Sequence, residues 1–354
     1  MSRHYIIPIF VPHRGCPHDC IFCNQKKITG SEKDITKEDV ISTIEQHLST
    51  MDKSAYIEVS FFGGSFTGIP IDTQKEFLSV AHSYLEKGLI NNIRLSTRPD
   101  YINKDILDHL KEYKVGIIEL GVQSLDEKVL EVSERGHSIE DVYYASEIIK
   151  EYGFTLGLQM MVGLPCDTLE KDIETAKKII SLKPDFVRVY PALTIKNTYM
   201  EYMYNEKLYT PLTVDEAAKI CKELYIMFYK SNIPIIRLGL QTTEQINVNK
   251  DVVAGPFHPS FREIVESLVL NDMITYYINN FYENKKSIII YISPKNISKL
   301  YADKKRIFYN TINQISDKEI IIRQKYIGDI LEIALDDGEN YRKVSINDYI
   351  NCIS

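Results

Sequence analysis

Two hydrophobic patterns alternate along the first 240 residues. Short apolar runs predict strands, and apolar positions recurring every three or four residues predict helices. The predicted strands span 5–10, 56–62, 93–96, 115–121, 155–162, 186–192 and 234–238. The predicted helices begin with one after Thr36 and continue with 72–86, 103–113, 126–134, 138–152, 168–182 and 214–231. About seven such strand–helix units predict a parallel sheet.

This number of units favours an α/β fold that is a complete or partial (β/α) barrel, since such barrels usually take about 250 residues. An open, doubly wound sheet is the alternative. After residue 240 the pattern changes to a small α+β extension. Its predicted elements are helices near 260–275, 296–301 and 304–315 and strands near 287–293, 319–324 and 329–335. We therefore expect a barrel domain over 1–240 and an α+β domain over 241–354.

Composition supports a globular protein. Of 354 residues, 44% are hydrophobic and 26% are charged, which excludes a disordered chain. No apolar run approaches the roughly 20 residues of a membrane span, and Pro8 interrupts the apolar N-terminal stretch, unlike a signal peptide. We expect a cytoplasmic protein that does not enter a membrane. The net charge of −7 argues against a nucleic-acid-binding polycation.

Three cysteines stand close together at Cys16, Cys20 and Cys23, in the spacing C-x3-C-x2-C. Three thiolates on one short loop can converge on a single soft metal centre. In an iron–sulfur cluster with one thiolate per iron, three cysteines would leave one iron open to a substrate. The alternative is a structural zinc site whose fourth ligand is His13 or His18.

The carboxyl ends of the predicted strands carry turn-forming and polar residues. The second strand ends in Phe62-Gly63-Gly64-Ser65, and paired glycines let a ligand approach the backbone closely. Later strands lead into Ser96-Thr97-Arg98, Gly121-Val122-Gln123 and Met161-Val162-Gly163. Chemistry in β/α barrels takes place at this end of the strands, which predicts a ligand site there.

The cysteine spacing, with the aromatic Phe22 just before the third cysteine, resembles the signature of the radical S-adenosylmethionine (radical SAM) enzymes. The resemblance implies a 4Fe–4S cluster held by Cys16, Cys20 and Cys23, whose fourth iron chelates S-adenosylmethionine. It also implies reductive cleavage of that cofactor to a 5′-deoxyadenosyl radical, with an electron donor such as flavodoxin or ferredoxin. The residue that handles the substrate is left unassigned.

The strand-exit motifs are similar to those of the radical SAM domain of the elongator catalytic subunit, a family that begins carboxymethyl-type modification of the tRNA wobble uridine. They are less closely similar to oxygen-independent coproporphyrinogen oxidases. The elongator subunit also has an acetyltransferase domain, of which we find no sequence signal after residue 240. The cofactor-binding residues that the resemblance implies are Phe22, Gly63, Gly64, Ser65, Ser96, Gln123, Arg135 and Gln159.

The segment 285–306 is locally basic, with seven lysine and arginine residues against one aspartate. Such asymmetry in an acidic chain indicates a nucleic-acid contact, although a solvated lysine-rich surface gives the same pattern. We expect a radical SAM enzyme that modifies RNA, in particular tRNA. Two alternatives remain: a radical SAM enzyme acting on a small molecule such as a porphyrin precursor, and a non-catalytic RNA-binding protein that holds zinc.

Overall fold

A computed structural model describes residues 3–11, 20–24, 35–240, 250–315, 317–328 and 331–353. The chain forms two compact units. The first comprises Met1–Thr213 and Ile233–Phe257, and the second comprises Val214–Asn232 and His258–Ser354. The helix predicted at 214–231 is therefore part of the second unit, together with the C-terminal segment.

A seven-stranded parallel sheet forms the centre of the first unit. Its strands follow one another in chain order, which is the arrangement of a (β/α) barrel. In the described part of the chain, each edge strand pairs with one neighbour only, so the sheet is a half-barrel and the partial form of the predicted fold is confirmed. The strands are β1 (His4–Val11), β2 (Tyr56–Gly63), β3 (Asn92–Thr97), β4 (Ile117–Gln123), β5 (Thr155–Val162), β6 (Phe186–Pro191) and β8 (Ile235–Leu238).

Helices connect these strands, and polar caps start several of them. Thr36 and Ser138 each form a capping box, and Asn103 caps its helix with a side-chain oxygen. The helices of the first unit are α1 (Lys37–Leu48), α2 (Ile71–Glu86), α3 (Lys104–Glu112), α4 (Glu127–Val132), α5 (Ile139–Glu151), α6 (Leu169–Ser181) and α7 (Tyr199–Asn205). A two-stranded sheet of β7 (Thr194–Ile195) and β9 (Val252–Ala254) accompanies them.

Alternate residues of each strand face opposite sides of the main sheet. On β5, Leu156, Leu158 and Met160 are fully buried in the core beneath the helices. The residues between them, including Gly157 and Gln159, therefore lie on the inner face of the half-barrel. Met160 therefore belongs to the core.

Buried charges cross the inner face of the sheet. The Arg94 guanidinium donates to Glu58 at 2.7 Å and to Glu119 at 2.6 Å, and Arg188 donates to the same Glu119 carboxylate at 2.5 Å. A methyl group at position 157 would clash with the Phe186 ring and lie 3.0 Å from the Glu119 side chain, so Gly157 makes room for both. Because each buried charge has an opposite partner, the network joins β2, β3, β4 and β6 without an uncompensated charge.

The second unit contains a four-stranded sheet in the order β11-β10-β12-β13. Its strands are β10 (Ser287–Ile292), β11 (Glu319–Gln324), β12 (Glu332–Asp336) and β13 (Tyr341–Ser345). Its helices are α8 (Val214–Lys230), α9 (Phe261–Phe281), α10 (Ile297–Leu300), α11 (Arg306–Gln314) and α12 (Ile346–Ile353). The predicted strands at 287–293 and 319–324 are confirmed, whereas β13 and α12 were not predicted. No described helix of either unit, α9 with its 21 residues included, is long and apolar enough to cross a membrane.

Candidate cofactor site

Two of the three clustered cysteines lie within the described residues. Cys20 is buried and Cys23 is half-buried, and the Cys23 amide donates to the Cys20 carbonyl at 2.8 Å, which closes a tight turn between them. Cys16 lies outside the described residues, as do the alternative zinc ligands His13 and His18. The described part of the chain contains no group of three His, Cys, Asp or Glu side chains able to hold a metal ion, so the predicted thiolate triplet requires Cys16.

The turn that carries these cysteines is held in place by distant parts of the chain. The Ile21 amide donates to the Ser133 carbonyl at 3.2 Å, and the Met200 amide donates to the Ile21 carbonyl at 2.9 Å. Asn24 adds a side-chain bond to the Lys196 carbonyl at 2.8 Å. These partners could not be predicted from the sequence, because they are backbone groups more than 100 residues away and any residue type can supply them.

Arg135 brings a positive charge to the cysteine turn. Its Nη1 atom donates to Cys20 Sγ at 3.6 Å, and its Nη2 atom donates to the Gly121 carbonyl at 2.6 Å. The Arg135 side chain is buried, so little water screens its charge. Cysteine binds metal as the negatively charged thiolate, and Arg135 places a positive charge beside the Cys20 sulfur.

The carboxyl end of β4 has an irregular backbone that exposes polar groups to the same region. Its pairing register with β5 shifts between Gly121 and Gln123, and Gln123 has a φ of +67°. An added Cβ at Gly121 would lie 2.9 Å from the Arg135 guanidinium and 3.0 Å from the Gln123 amide nitrogen. Bulges and left-handed non-glycine residues concentrate at ligand sites. Gly121 is therefore required for the present positions of both side chains.

The predicted glycine motif lies at the carboxyl end of β2. Gly63 has a φ of +107°, a value that favours glycine, and the Gly64 amide donates to the Val11 carbonyl at 3.3 Å. The Ser65 hydroxyl is hydrogen-bonded to Thr97 Oγ1 at 2.8 Å and accepts from the Arg98 amide at 2.9 Å. Ser65 thus connects the ends of β2 and β3 through its side chain. Thr97, which sequence analysis did not select, is its partner.

Two further predicted positions lie on the strands on either side of β4. Ser96 is half-buried on β3, and Gln159 is half-buried on β5, where it pairs in register with Gly121 of β4. Both alternate with buried core residues and so face the inner side of the half-barrel. The order β3-β4-β5 places Ser96, Gln123 and Gln159 on three adjacent strands.

Among the predicted cofactor-binding residues, three buried polar atoms have no hydrogen-bond partner in the described part of the chain. They are Ser96 Oγ, Gln123 Oε1 and Arg135 Nε. Buried polar atoms in native proteins are nearly always hydrogen-bonded to protein, water or ligand. A polar ligand at the ends of β3 and β4 would satisfy all three atoms, so the residues fit a cofactor with several hydrogen-bonding groups.

Phe22 packs against an apolar cluster at the strand ends. The buried members of this cluster are Val129, Leu164, Ala192, Met200 and Tyr209. The observed contacts of Phe22 therefore fix the cysteine turn to the barrel. Its contact with a cofactor stays a prediction.

A carboxyl pair supports the turn that follows β5. Asp167 accepts hydrogen bonds from the amides of Gly163 at 3.2 Å and Thr168 at 2.9 Å. Burial and the neighbouring Asp167 raise the pKa of Asp172 to about 10, so Asp172 is protonated at neutral pH and bonds to Asp167 as the donor. Tyr209 donates to the Gly163 carbonyl at 2.7 Å. Neither aspartate was predicted, because an Asp in a turn or in the first turn of a helix carries no sequence signal of burial.

Comparison with family models identifies two domains. A model described as the Radical SAM superfamily matches residues 10–179, and one described as the Radical_SAM C-terminal domain matches residues 184–269. The first match includes the cysteine turn and the ends of β2 to β5. The first match therefore covers the part of the chain that contains the sequence motifs.

Among curated relatives, an uncharacterized protein of Methanocaldococcus jannaschii is 33% identical over 215 residues, which cover 57% of this chain and 65% of that protein. A tRNA uridine(34) acetyltransferase of the same organism is 27% identical over 270 residues, covering 65% of this chain and 49% of the enzyme. The matched segments thus span about half to two thirds of these relatives. The solved structure of Methanocaldococcus infernus Elp3 with an N-terminal deletion has a TM-score of 0.62 at 20% identity, covering 77% of this chain and 64% of that one, and shows the same fold.

Proposed function

Because the chain belongs to the radical SAM superfamily and is an enzyme that uses a 4Fe–4S cluster and S-adenosylmethionine, we propose that it cleaves this cofactor reductively to modify RNA, in particular tRNA. When bound, the cluster supplies the electron that releases a 5′-deoxyadenosyl radical. We assign the cluster to Cys16, Cys20 and Cys23. The superfamily match favours this assignment over a zinc site.

The unsatisfied polar atoms at the ends of β3 and β4 carry the proposal for the cofactor site. Ser96, Gln123 and Arg135 would each gain a hydrogen bond from S-adenosylmethionine, which offers carboxylate, amino, ribose and adenine groups. Arg135 can contact both the cysteine turn and the cofactor, since its Nη1 atom faces Cys20 while its Nε atom has no described partner. Gln159 would line the same face on β5.

The glycine motif is assigned to the methionine end of the cofactor. Gly63 and Gly64 present backbone without a side chain next to the end of β1, where the Gly64 amide meets the Val11 carbonyl. The Ser65 hydroxyl already has two partners, so we expect Ser65 to act by holding the β2 end in position. Phe22 would close the pocket from the cysteine turn.

Similarity to a tRNA uridine(34) acetyltransferase supports RNA as the substrate class. The segment 285–306 adds cations, although three of its seven are paired with carboxylates: Lys285 with Asp337, Lys299 with Glu266, and Arg306 with Asp215. Its other cations have exposed side chains, namely Lys286, Lys295, Lys304 and Lys305, of which Lys295 and Lys305 lie over tyrosine rings. For this chain we propose the radical reaction and not acetyl transfer.

We further propose that the enzyme works in the cytoplasm with flavodoxin or ferredoxin as electron donor.

A comparison of tRNA nucleosides by mass spectrometry, from cells with and without the gene, tests the RNA proposal. We expect one modified uridine to be lost with the gene and restored by wild-type protein, but not by a Cys20→Ala variant. Unchanged nucleosides, together with no binding of tRNA by the purified enzyme, would contradict RNA as the substrate. A small-molecule substrate would then replace it.

A further inference from the structure

The four-stranded sheet of the second unit has one face whose side chains on the two central strands are fully buried. Ile288, Ile290 and Ile292 of β10 are fully buried, as are Ile333 and Leu335 of β12. These residues form the side of the sheet that packs on helices. The residues that alternate with them lie on the opposite face, which we call the open face.

Two tyrosines and a lysine meet on the open face. Tyr291 of β10 and Tyr341 of β13 have ring centroids 6.0 Å apart, and Tyr341 is 52% exposed. The Lys325 ammonium lies 5.4 Å from the Tyr291 ring centroid and 5.6 Å from that of Tyr341. Solvent-accessible aromatic rings with a cation over them are thus concentrated at one place on this sheet.

Further cations and a third tyrosine surround this pair. Arg323 of β11 lies beside Tyr291 in register, and Lys343 of β13 lies on the same face, 2.9 Å from Glu332. Tyr326 is 68% exposed, with the Lys295 ammonium 5.7 Å from its ring centroid. Around the three tyrosines, this end of the sheet has four cations, Lys295, Arg323, Lys325 and Lys343, against the carboxylates of Glu332 and Asp336.

Besides Glu332, two acidic side chains lie on the open face. Asp336 pairs in register with both Ile289 and Tyr341, so it lies beside the tyrosine pair, and its carboxylate accepts a hydrogen bond from the Gly338 amide. Glu319 pairs with Ser287 at the start of β10. Four cations against Glu332 and Asp336 leave the end near Tyr291 locally positive in a chain whose net charge is −7. Its charge is complementary to a polyanion.

We propose that this end of the open face binds a single-stranded region of RNA, with bases stacked on Tyr291, Tyr326 and Tyr341 and phosphates held by the surrounding cations. This inference rests on the proposed function, since it takes RNA to be the substrate. Aromatic rings that stack bases, combined with cations that follow the backbone, are the common features of single-strand binding sites. A four-stranded sheet with one open aromatic face is also a known platform for RNA bases.

Lys325 can change partner when RNA binds. In the structure its ammonium covers the ring faces that a base would occupy. A cation–π contact at an exposed site is weak, so a stacking base can displace it. The flexible lysine side chain then reaches a phosphate, which keeps its charge compensated.

Fluorescence anisotropy with a labelled tRNA and a labelled short single-stranded RNA tests this surface in the full-length holoenzyme. We expect a Tyr291→Leu/Tyr341→Leu variant to bind about tenfold more weakly, because a base–aromatic stack is lost. Its salt dependence should not change. An Arg323→Gln/Lys325→Gln variant should bind more weakly and lower the log–log salt slope by about 1.4, at roughly 0.7 per phosphate contact.

Matched control variants exist on other parts of the same unit. Tyr309 is 54% exposed on α11, and Lys219 is exposed on α8. Tyr309→Leu and Lys219→Gln should leave RNA affinity within about twofold of wild type. All variants should cleave S-adenosylmethionine without substrate at the wild-type rate. The tyrosine double variant could lose its fold, so the single Lys325→Gln variant, at an exposed position, provides an independent test. It should lower the log–log salt slope by about half as much as the Arg323→Gln/Lys325→Gln variant.

The outcomes separate this inference from the proposed function. If wild type binds RNA and every variant binds equally well, the open face is not the RNA site, whereas the RNA function stands. If charge variants weaken binding but the tyrosine variant does not, stacking is wrong. Binding of an acidic peptide that competes with RNA equally well would also overturn the inference. Absence of RNA binding by wild type, with unchanged tRNA nucleosides, contradicts the proposed function itself.

Discussion

Arg135 donates from Nη1 to the sulfur of Cys20 at 3.6 Å, although 115 positions separate the two residues. The same guanidinium donates from Nη2 to the Gly121 carbonyl at 2.6 Å. A single buried cation therefore joins the cysteine turn to the irregular end of β4. Its position gives it influence over both the cluster and the cofactor that we propose for this site.

Replacement of Arg135 should change the redox behaviour of the cluster. A positive charge near the cysteine sulfur stabilises the more negative, reduced cluster, so Arg135→Gln should lower the reduction potential. The loss of one charged hydrogen bond, roughly 1–2 kcal/mol, corresponds to about 40–90 mV for one electron. A redox titration followed by electron paramagnetic resonance measures the shift. Lys128→Gln, which removes an exposed cation on α4, should leave the potential unchanged.

Replacement of the clustered cysteines should remove iron. Anaerobically reconstituted wild type should contain about four irons per chain, and Cys16→Ala, Cys20→Ala or Cys23→Ala should abolish this content, since each thiolate holds one iron. Iron and sulfide analysis with absorption spectroscopy makes the measurement. Cys166→Ala and Cys352→Ala, at exposed positions, serve as controls and should retain iron. Stoichiometric zinc that cannot be exchanged for a cluster would contradict the assignment.

A methyl group at Gly121 should disturb the cofactor site without removing the cluster. The added Cβ would lie 2.9 Å from the Arg135 guanidinium and 3.0 Å from the Gln123 amide nitrogen, so both side chains must move. We expect Gly121→Ala to weaken binding of S-adenosylmethionine at least tenfold in calorimetry, or about 1.4 kcal/mol.

Gly153→Ala provides the matched control for this change. Its φ is +78° and no atom lies within 4 Å of an added Cβ. That variant should lose about 1 kcal/mol of stability through backbone strain and keep its cofactor affinity. Undiminished cofactor binding by Gly121→Ala would show that Arg135 and Gln123 lie outside the cofactor pocket.

Asp172 should make the stability of the protein fall with rising pH. Its pKa is raised from 3.8 to about 10, so the folded protein keeps a proton that the unfolded chain releases above its ordinary pKa. The stabilising contribution of the neutral acid is present below about pH 4 and is progressively lost up to about pH 10. Asp172→Asn keeps a donor toward Asp167 and cannot ionise.

Between pH 5 and pH 9, the free energy of unfolding of the wild type should therefore fall relative to that of Asp172→Asn. The change in this difference should be on the order of 1 kcal/mol or more. Urea titrations across this range measure it. Glu147→Gln, at an exposed position on α5, is the control and should show no such trend. A constant difference across the range would mean that Asp172 is ionised in the folded protein.

Regular elements of the first unit were predictable because their signal is local. The predicted strand 155–162 coincides with β5, and the helix predicted at 138–152 corresponds to α5 with its cap at Ser138. The short helix α7 (Tyr199–Asn205) and strand β13 (Tyr341–Ser345) were missed. Their few residues are largely tyrosine, charged or polar, and so show too little apolar periodicity for either pattern.

The basic segment shows where summed charge misleads. Seven cations within 285–306 indicated one contact surface, but Lys285, Lys299 and Arg306 are paired with carboxylates from other parts of the second unit. The open face near Tyr291 draws its cations from three separate stretches of chain. Sequence alone could not group Arg323 with Lys343, because only strand pairing brings them to the same face of one sheet.

The sequence by itself determined the residue types, their order and the local elements: three cysteines in one spacing, two glycines after a strand, and alternating strands and helices. These depend on dihedral preferences and apolar periodicity over a few residues. Only the tertiary structure decided that Arg135 reaches Cys20, that Ser65 bonds to Thr97, and that Ser96 and Gln123 have polar atoms without described partners. Such contacts depend on which strands pair and in what register, because hydrogen bonds act over about 3 Å and cannot be inferred from separation along the chain.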